Sequence, residues 1–232
     1  MIAHRGASAH APENTRVALR LAIEHGADGV EVDVQRTSDG VPVLVHDSDW
    51  RRTTGHAAAV RELPWKRVCQ LDAGSWFSPH CSGVRPGTLD DALEVAGTAL
   101  VNLEIKSPHL DAALSTTVAA RVRARGLQER VLLSSFDRAS IDALAEAHED
   151  LELGYLAHRA IESPHPRVQT LVLLFAVVLA DPGIVRGAHA TGRGVVVYSV
   201  DDVETAGRLR RAGVDAIITN HPQRLRQAWQ PR

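Results

Sequence analysis

The sequence predicts an α/β protein: a TIM-type (β/α)8 barrel with a β-hairpin arm and a small inserted subdomain over the barrel mouth. Three observations predict it. Strand-like and helix-like runs alternate along nearly the whole chain. One connection between strands is too short for anything but a hairpin. The polar residues of two strands fall together on the face that a barrel turns inward. At 232 residues the chain suits one such unit, since α/β barrels run to about 250 residues. It is therefore read as a single domain over 1–232, with the insertion at approximately 48–87.

The elements follow in order. Strand runs, apolar and rich in Val, Ile and Leu, are Ile2–His4, Asp28–Val34, Pro42–His46, Leu100–Lys106, Val131–Phe136, Leu151–Ala157, Leu171–Val178, Gly194–Val200 and Asp215–Thr219. Between the first two, Thr15–His25 carries Val17, Leu19, Leu21, Ala22 and Ile23, with Asn14 placed as its N-cap. Only Gln35–Val41 separates the second and third strands. A parallel crossover needs about a dozen residues, so the Ser38-Asp39-Gly40 turn marks a hairpin. Setting the hairpin arm aside leaves eight parallel strands. Ser48–Gly87 has no strand–helix rhythm and contains Trp50, Trp65 and Trp76; it is read as the insertion. Leu110–Arg125 carries Leu114, Val118 and Val122 at spacing four, with Gly126 as a stop. Asp202–Ala212 ends the same way at Gly213, and its Arg208, Arg210 and Arg211 read as a solvated face.

Composition excludes several classes. Apolar residues are 44% and charged residues 23%, so the chain is neither disordered nor fibrous. Its longest apolar run, Leu171–Ala180, has ten residues, against about 18 for a membrane span; no stable membrane insertion is expected. The net charge of −2 and an aromatic content of 4% offer neither a basic surface nor a stacking platform for nucleic acid. Cys69 and Cys81 lack metal-ligand spacing and read as reduced thiols. The barrel pattern starts at Ile2, leaving no secretory leader. The expectation is a cytoplasmic protein. Oligomeric state is left open.

In Val30-Glu31-Val32-Asp33-Val34 the carboxylates share one face and the valines the other. In Val101-Asn102-Leu103-Glu104-Ile105-Lys106 the polar residues again share one face. The outward face packs on helices, so the polar set points into the barrel. An acidic residue at a strand end is usually an ordinary surface charge. Three on inward faces of neighbouring strands are costly unless paired or bound to metal. Glu31, Asp33 and Glu104 are therefore expected to hold one divalent cation. Oxygen donors without thiolate favour Mg²⁺ or Ca²⁺, with Mn²⁺ also admissible. Arg5 and Lys106 supply two positives beside these three negatives. One divalent cation makes the cluster net positive, a receptor for a singly charged phosphodiester. His4 ends the first strand. A turn centred on Asp39 brings His46 beside Val32 and Asp33. Two histidines there can act as acid and base near neutral pH.

These residues carry a resemblance. His4-Arg5-Gly6-Ala7-Ser8, Pro12-Glu13-Asn14-Thr15, Gly26–Val34, Thr37-Ser38-Asp39-Gly40 and Val45-His46-Asp47 resemble the glycerophosphodiester phosphodiesterase family. Asp72–Phe77, Thr88-Leu89-Asp90-Asp91, Leu103–Lys106, Ser134–Asp137 and Gly213–Thr219 extend it in order along nearly the whole chain. The resemblance implies a metal-dependent barrel hydrolase that cleaves glycerophosphodiesters to sn-glycerol 3-phosphate and an alcohol. It implies His4 and His46 as the acid/base pair, Glu31, Asp33 and Glu104 as metal ligands, and Arg5 and Lys106 on the phosphate. Tyr198-Ser199-Val200-Asp201 departs from the family's usual Trp-Thr-Val-Asn, and Thr219-Asn220 from Thr-Asp. Tyr198, Asp201 and Phe136 are expected on the substrate pocket. Two alternatives remain: a lysophospholipase-D-like enzyme, whose apolar groove the three tryptophans of the insertion could supply, and a non-catalytic glycerophosphodiester-binding barrel.

Overall fold

The structure, a computed structural model, describes residues 1–106, 111–161 and 163–229. The chain opens with β1 (Ile2–His4), α1 (Arg16–Glu24), β2 (Gly29–Arg36) and β3 (Pro42–Leu44). Short helices α2 (Arg51–Thr54) and α3 (Trp65–Val68) follow, then α4 (Leu89–Ala96) and β4 (Leu100–Ile105). After these come α5 (Ala112–Ala124), β5 (Val131–Ser135), α6 (Arg138–Ala147), β6 (Glu152–Ala157) and β7 (Val168–Leu174). The chain ends with α7 (Phe175–Ala180), α8 (Gly183–Ala190), β8 (Gly194–Tyr198), α9 (Val203–Ala212), β9 (Ala216–Thr219) and α10 (Pro222–Trp229).

Among the described residues, eight parallel strands close into a barrel in the order β1-β2-β4-β5-β6-β7-β8-β9, because β1 pairs with both β2 and β9. The ninth strand, β3, is the expected hairpin arm, antiparallel to β2 with Val34 opposite Leu44. The expected pairing of His46 follows: Val45 N–H donates to the Asp33 carbonyl at 3.0 Å. Gln35 pins the arm further, its side-chain amide donating to the carbonyls of Val45 (2.9 Å) and Asp47 (2.6 Å).

The barrel interior is unequal. Ile2, Leu156, Val172, Val196 and Ile218 form an apolar cluster from β1, β6, β7, β8 and β9. β2, β4 and β5 instead present buried Glu31, Asp33, Asn102, Glu104 and Ser134. The outward residues of all these strands, among them Val30, Val32, Leu103, Leu133 and Val197, join the helices in the main core. A third cluster, Val43, Val45, Trp50, Val60 and Val68, ties the hairpin to the segment that follows it.

Some expectations need correction. Thr15, not Asn14, caps α1: the Thr15 hydroxyl accepts from Ala18 N–H, while Asn14 adopts a left-handed φ of 55° and turns away. The apolar run after Leu171 is half strand and half helix. β7 starts at Val168 and ends at Leu174, and Phe175–Ala180 is α7, because a run apolar on every face carries no period. The predicted helix start Leu110 lies outside the described residues, and α5 begins at Ala112 behind an Asp111 cap. The three tryptophans form no joint apolar surface. Trp50 is buried, Trp65 packs on the third cluster, and only Trp76 is exposed. No described helix is long and apolar enough to cross a membrane. Cys69 and Cys81 are both free.

The turn out of β1 tolerates no side chain at Gly6, whose φ is +84° and whose added Cβ would lie 2.5 Å from the Ala18 carbonyl carbon. Gly6→Ala is expected to lose more than the ~1–2 kcal/mol of a left-handed residue alone. Chemical denaturation measures it, and an unchanged midpoint would contradict this close packing.

Candidate active site

Register builds the site. His4 sits opposite Glu31 across β1 and β2, and Asp33 opposite Glu104 across β2 and β4. Glu31, Asp33 and Glu104 are 3%, 0% and 7% exposed. Each offers an oxygen lying within 4.8 Å of the others'. Such a buried trio repels itself unless a cation joins it. Two cations from the chain already attend: Arg5 Nε lies 3.0 Å from Asp33 Oδ2, and Lys106 Nζ lies 2.8 Å from Glu104 Oε1. Asp33 Oδ1 is buried and accepts no hydrogen bond among the described residues. An oxygen-only donor set with such an orphaned acceptor fits a hard divalent cation.

Titration follows the same physics. Burial, then Asp33 and Glu104, push the Glu31 carboxyl well above its ordinary value. Burial and Asp33 also raise Glu104, against Lys106. At Asp33 burial acts upward too, but Arg5, Lys106, His46 and Asn14 outweigh it and hold that carboxyl low. Burial and then Arg5 keep His4 below the usual imidazole value. Burial and then Glu104 raise the Tyr198 phenol.

All seven residues expected at the chemical centre are brought together. His4, Arg5, Glu31, His46, Glu104 and Lys106 line one cavity of about 420 Å³, with Asp33 behind its wall. Phe136 and Tyr198 line it too, their rings edge-on at 6.0 Å. Asp201 does not. Its carboxylate turns to Thr219 and Asn220, because three donors on the β9 end satisfy it there. Sequence reasoning also left several contributors without a role. Asn14 donates to Asp33 Oδ2 at 2.8 Å and accepts from Asp33 N–H at 3.3 Å. Asp47 Oδ1 accepts from His46 Nδ1 at 2.8 Å. Arg52 spans Asp47 and Glu13, and Glu13 in turn holds Arg5. His158 stacks on Phe136 with ring centroids 4.7 Å apart. The available signals were adjacency, in Asp47 beside His46, and the Pro12-Glu13-Asn14-Thr15 motif, which holds both Glu13 and Asn14.

Arg5 and Asn14 are non-glycine residues with positive φ, 56° and 55°. Such strain collects where a site demands it. At Arg5 it aims the backbone N–H at Glu31, 2.8 Å from its carbonyl and 3.1 Å from Oε2.

Comparison with known proteins places this geometry. The sequence model of the glycerophosphoryl diester phosphodiesterase family matches residues 4–224. This chain belongs to that family. A glycerophosphodiester phosphodiesterase from Caldanaerobacter subterraneus subsp. tengcongensis is 35% identical, over 97% of this chain and 95% of its own. A solved Oleispira antarctica phosphodiesterase, in complex with the product sn-glycerol-3-phosphate, is 30% identical with a TM-score of 0.86, covering 98% of this chain and 95% of its own. The Agrobacterium tumefaciens glycerophosphodiester phosphodiesterase is 28% identical with a TM-score of 0.85, covering 97% of both chains. As a glycerophosphodiester phosphodiesterase, the chain is a phosphoric diester hydrolase.

The raised Glu31 carboxyl makes a signed prediction. The folded, metal-free state holds its proton more tightly than the unfolded state, so this contribution to stability falls as pH rises above about 4.5 through the folded value. His4 acts with the opposite slope, and a comparison of variants cancels it. With EDTA present, Glu31→Gln should gain thermal stability relative to the parent as pH rises from about 5 to about 8. A difference in Tm that stays constant or shrinks would contradict the assignment.

Proposed function

We propose that the chain hydrolyses glycerophosphodiesters to sn-glycerol 3-phosphate and an alcohol, with His4 and His46 as the acid/base pair. One observation carries this reading: His4 at the end of β1 and His46, just beyond β3 and not on the strand expected to reach it, face one cavity that also holds Glu31, Glu104, Arg5 and Lys106, with Asp33 behind its wall. The product bound to the Oleispira relative supports the substrate class.

Glu31, Asp33 and Glu104 would hold one divalent cation, Mg²⁺ or Ca²⁺, with Mn²⁺ also suited. When bound, the cation polarises a phosphoryl oxygen as a Lewis acid. With that cation bound, the charges of Arg5 and Lys106 make the trio's surroundings net positive, an anion receptor. Outside that count, Arg52 pairs with both Glu13 and Asp47. One histidine takes the proton of the attacking hydroxyl and the other gives a proton to the departing alkoxide. The hydroxyl is that of water or of the glycerol itself; in the second case water then opens the cyclic phosphate with the two roles reversed. Each histidine has its Nδ1 tied, to Asn220 for His4 and to Asp47 for His46. The Nε2 atoms are left for this exchange.

A diester has two substituents on phosphorus. A second groove of about 530 Å³ meets the first cavity at His46, Glu104, Lys106 and Phe136. The glycerol arm and the alcohol arm would occupy these two spaces, with Phe136 as the ridge between them.

His46→Ala should keep its thermal unfolding and its divalent-ion uptake and lose at least about a hundredfold in kcat for sn-glycerol 3-phosphate release. Near-normal turnover would overturn the histidine pair. Absence of release by the parent protein from every glycerophosphodiester, with each of the three cations restored after EDTA, would overturn the reaction.

A further inference from the structure

The carboxylate of Asp201 faces away from the cavity, yet through the Asn220 side-chain amide it is connected to His4. Its Oδ1 accepts from the Asn220 backbone N–H at 2.8 Å and from the Thr219 hydroxyl at 3.0 Å. Its Oδ2 accepts from the Asn220 side-chain amide at 2.7 Å. The Asn220 side-chain oxygen Oδ1 then lies 2.8 Å from His4 Nδ1 and 2.7 Å from the Ser8 hydroxyl.

This arrangement has one consistent proton assignment. A carboxylate only accepts, so the Asn220 NH₂ must face Asp201. The opposite amide orientation would set its oxygen against Asp201 Oδ2, acceptor against acceptor. With the amide fixed, its oxygen can only accept, and neutral His4 must carry its hydrogen on Nδ1. The lone pair is thereby confined to Nε2, on the side of the ring nearest Glu31, where Nε2 lies 3.9 Å from Oε2. The Ser8 hydroxyl donates to the same amide oxygen, and because a hydroxyl can donate or accept the orientation is set by Asp201.

We infer that Asp201 is a positioning residue: acting through the Asn220 amide, it fixes the tautomer and ring orientation of His4. The inference rests on the proposed role of His4 for its effect on rate, while the tautomer itself can be read without turnover. His46 receives the same service directly from Asp47. His4 receives it through one intervening amide, so the group touching its ring is neutral and the negative charge stands one residue further back.

The sharpest variant is Asp201→Asn. An amide at 201 can keep its carbonyl on the 220 N–H and the Thr219 hydroxyl only by turning its NH₂ toward Asn220. Asn220 must then flip, present NH₂ to His4 Nδ1, and drive the imidazole hydrogen to Nε2. Interchanging the pair, D201N with N220D, restores every donor to an acceptor. The amide at 201 donates to the carboxylate at 220, which accepts from His4 Nδ1 and Ser8.

Two readouts test this. Histidine two-bond ¹H–¹⁵N spectra, with the His4 signals assigned by their loss in His4→Gln, should show the Nδ1–H form in the parent and in the interchanged variant. They should show the Nε2–H form in D201N. In steady-state assays D201N should lose at least about tenfold in kcat with KM little changed, a wrong tautomer costing up to about 10⁴-fold in histidine-dependent hydrolysis. The interchanged variant should recover most of that loss. An Nε2–H tautomer in the parent overturns the inference, and this reading needs only the His4→Gln variant used for assignment. So does an interchanged variant no faster than D201N, or a D201N that matches the parent. A parent that shows the Nδ1–H tautomer but releases no product from any diester would count against the hydrolytic role of His4 and leave the positioning chain standing.

Discussion

Three carboxylates that strand alternation forces into the interior of one barrel set the terms for the rest of the structure. Glu31, Asp33 and Glu104 cannot move outward without putting Val30, Val32, Leu103 and Ile105 inside, which would strip the helices of their core. The trio must therefore be neutralised where it stands. Arg5 and Lys106 do part of this, and Asn14 adds hydrogen bonds to Asp33. The remaining negative charge is what makes the site a place for a divalent cation, and then for a phosphodiester anion.

The surroundings answer to the same constraint. β1, β6, β7, β8 and β9 fill most of their share of the interior with aliphatic side chains, which confines the buried carboxylates to β2 and β4. The hairpin lies on this side of the barrel because β3 pairs with β2, the strand that carries two of the carboxylates. Gln35 clamps the arm, and His46 arrives at the trio from across the cavity to His4. Arg52, from the segment after the hairpin, joins Asp47 to Glu13. One guanidinium thus braces both the partner of His46 and the partner of Arg5. Its flank lies over the Trp76 ring, 5.6 Å from the centroid, which gives that exposed tryptophan a local role.

Much of this was legible in the sequence because it depends on period two. Alternation in Val30–Val34 and Val101–Lys106 assigns the inward face without any structure, and the short Gln35–Val41 connection fixes the register that delivers His46. What period cannot carry was misread or missed. Asn14 precedes a helix and has the chemistry of a cap, so its left-handed turn toward Asp33 left no trace in the pattern. Leu171–Ala180 is apolar throughout, so strand and helix look alike there. Asp201 stands near the barrel mouth, where a carboxylate suggests a pocket wall. Only the positions of Thr219 and Asn220, eighteen and nineteen residues away, turn it from the cavity. Arg52 lies in a segment without rhythm, where no face can be assigned.

The central claim is that the trio is a built cation site and not a chance cluster of acids. Equilibrium dialysis of EDTA-stripped protein against Mg²⁺, Ca²⁺ and Mn²⁺, followed by metal analysis, tests it without reference to turnover. The account predicts saturable uptake of one ion per chain by the parent protein, and none by the variant combining Glu31→Gln, Asp33→Asn and Glu104→Gln. Equal uptake by that variant, or no saturable uptake of any of the three ions by the parent, would contradict it.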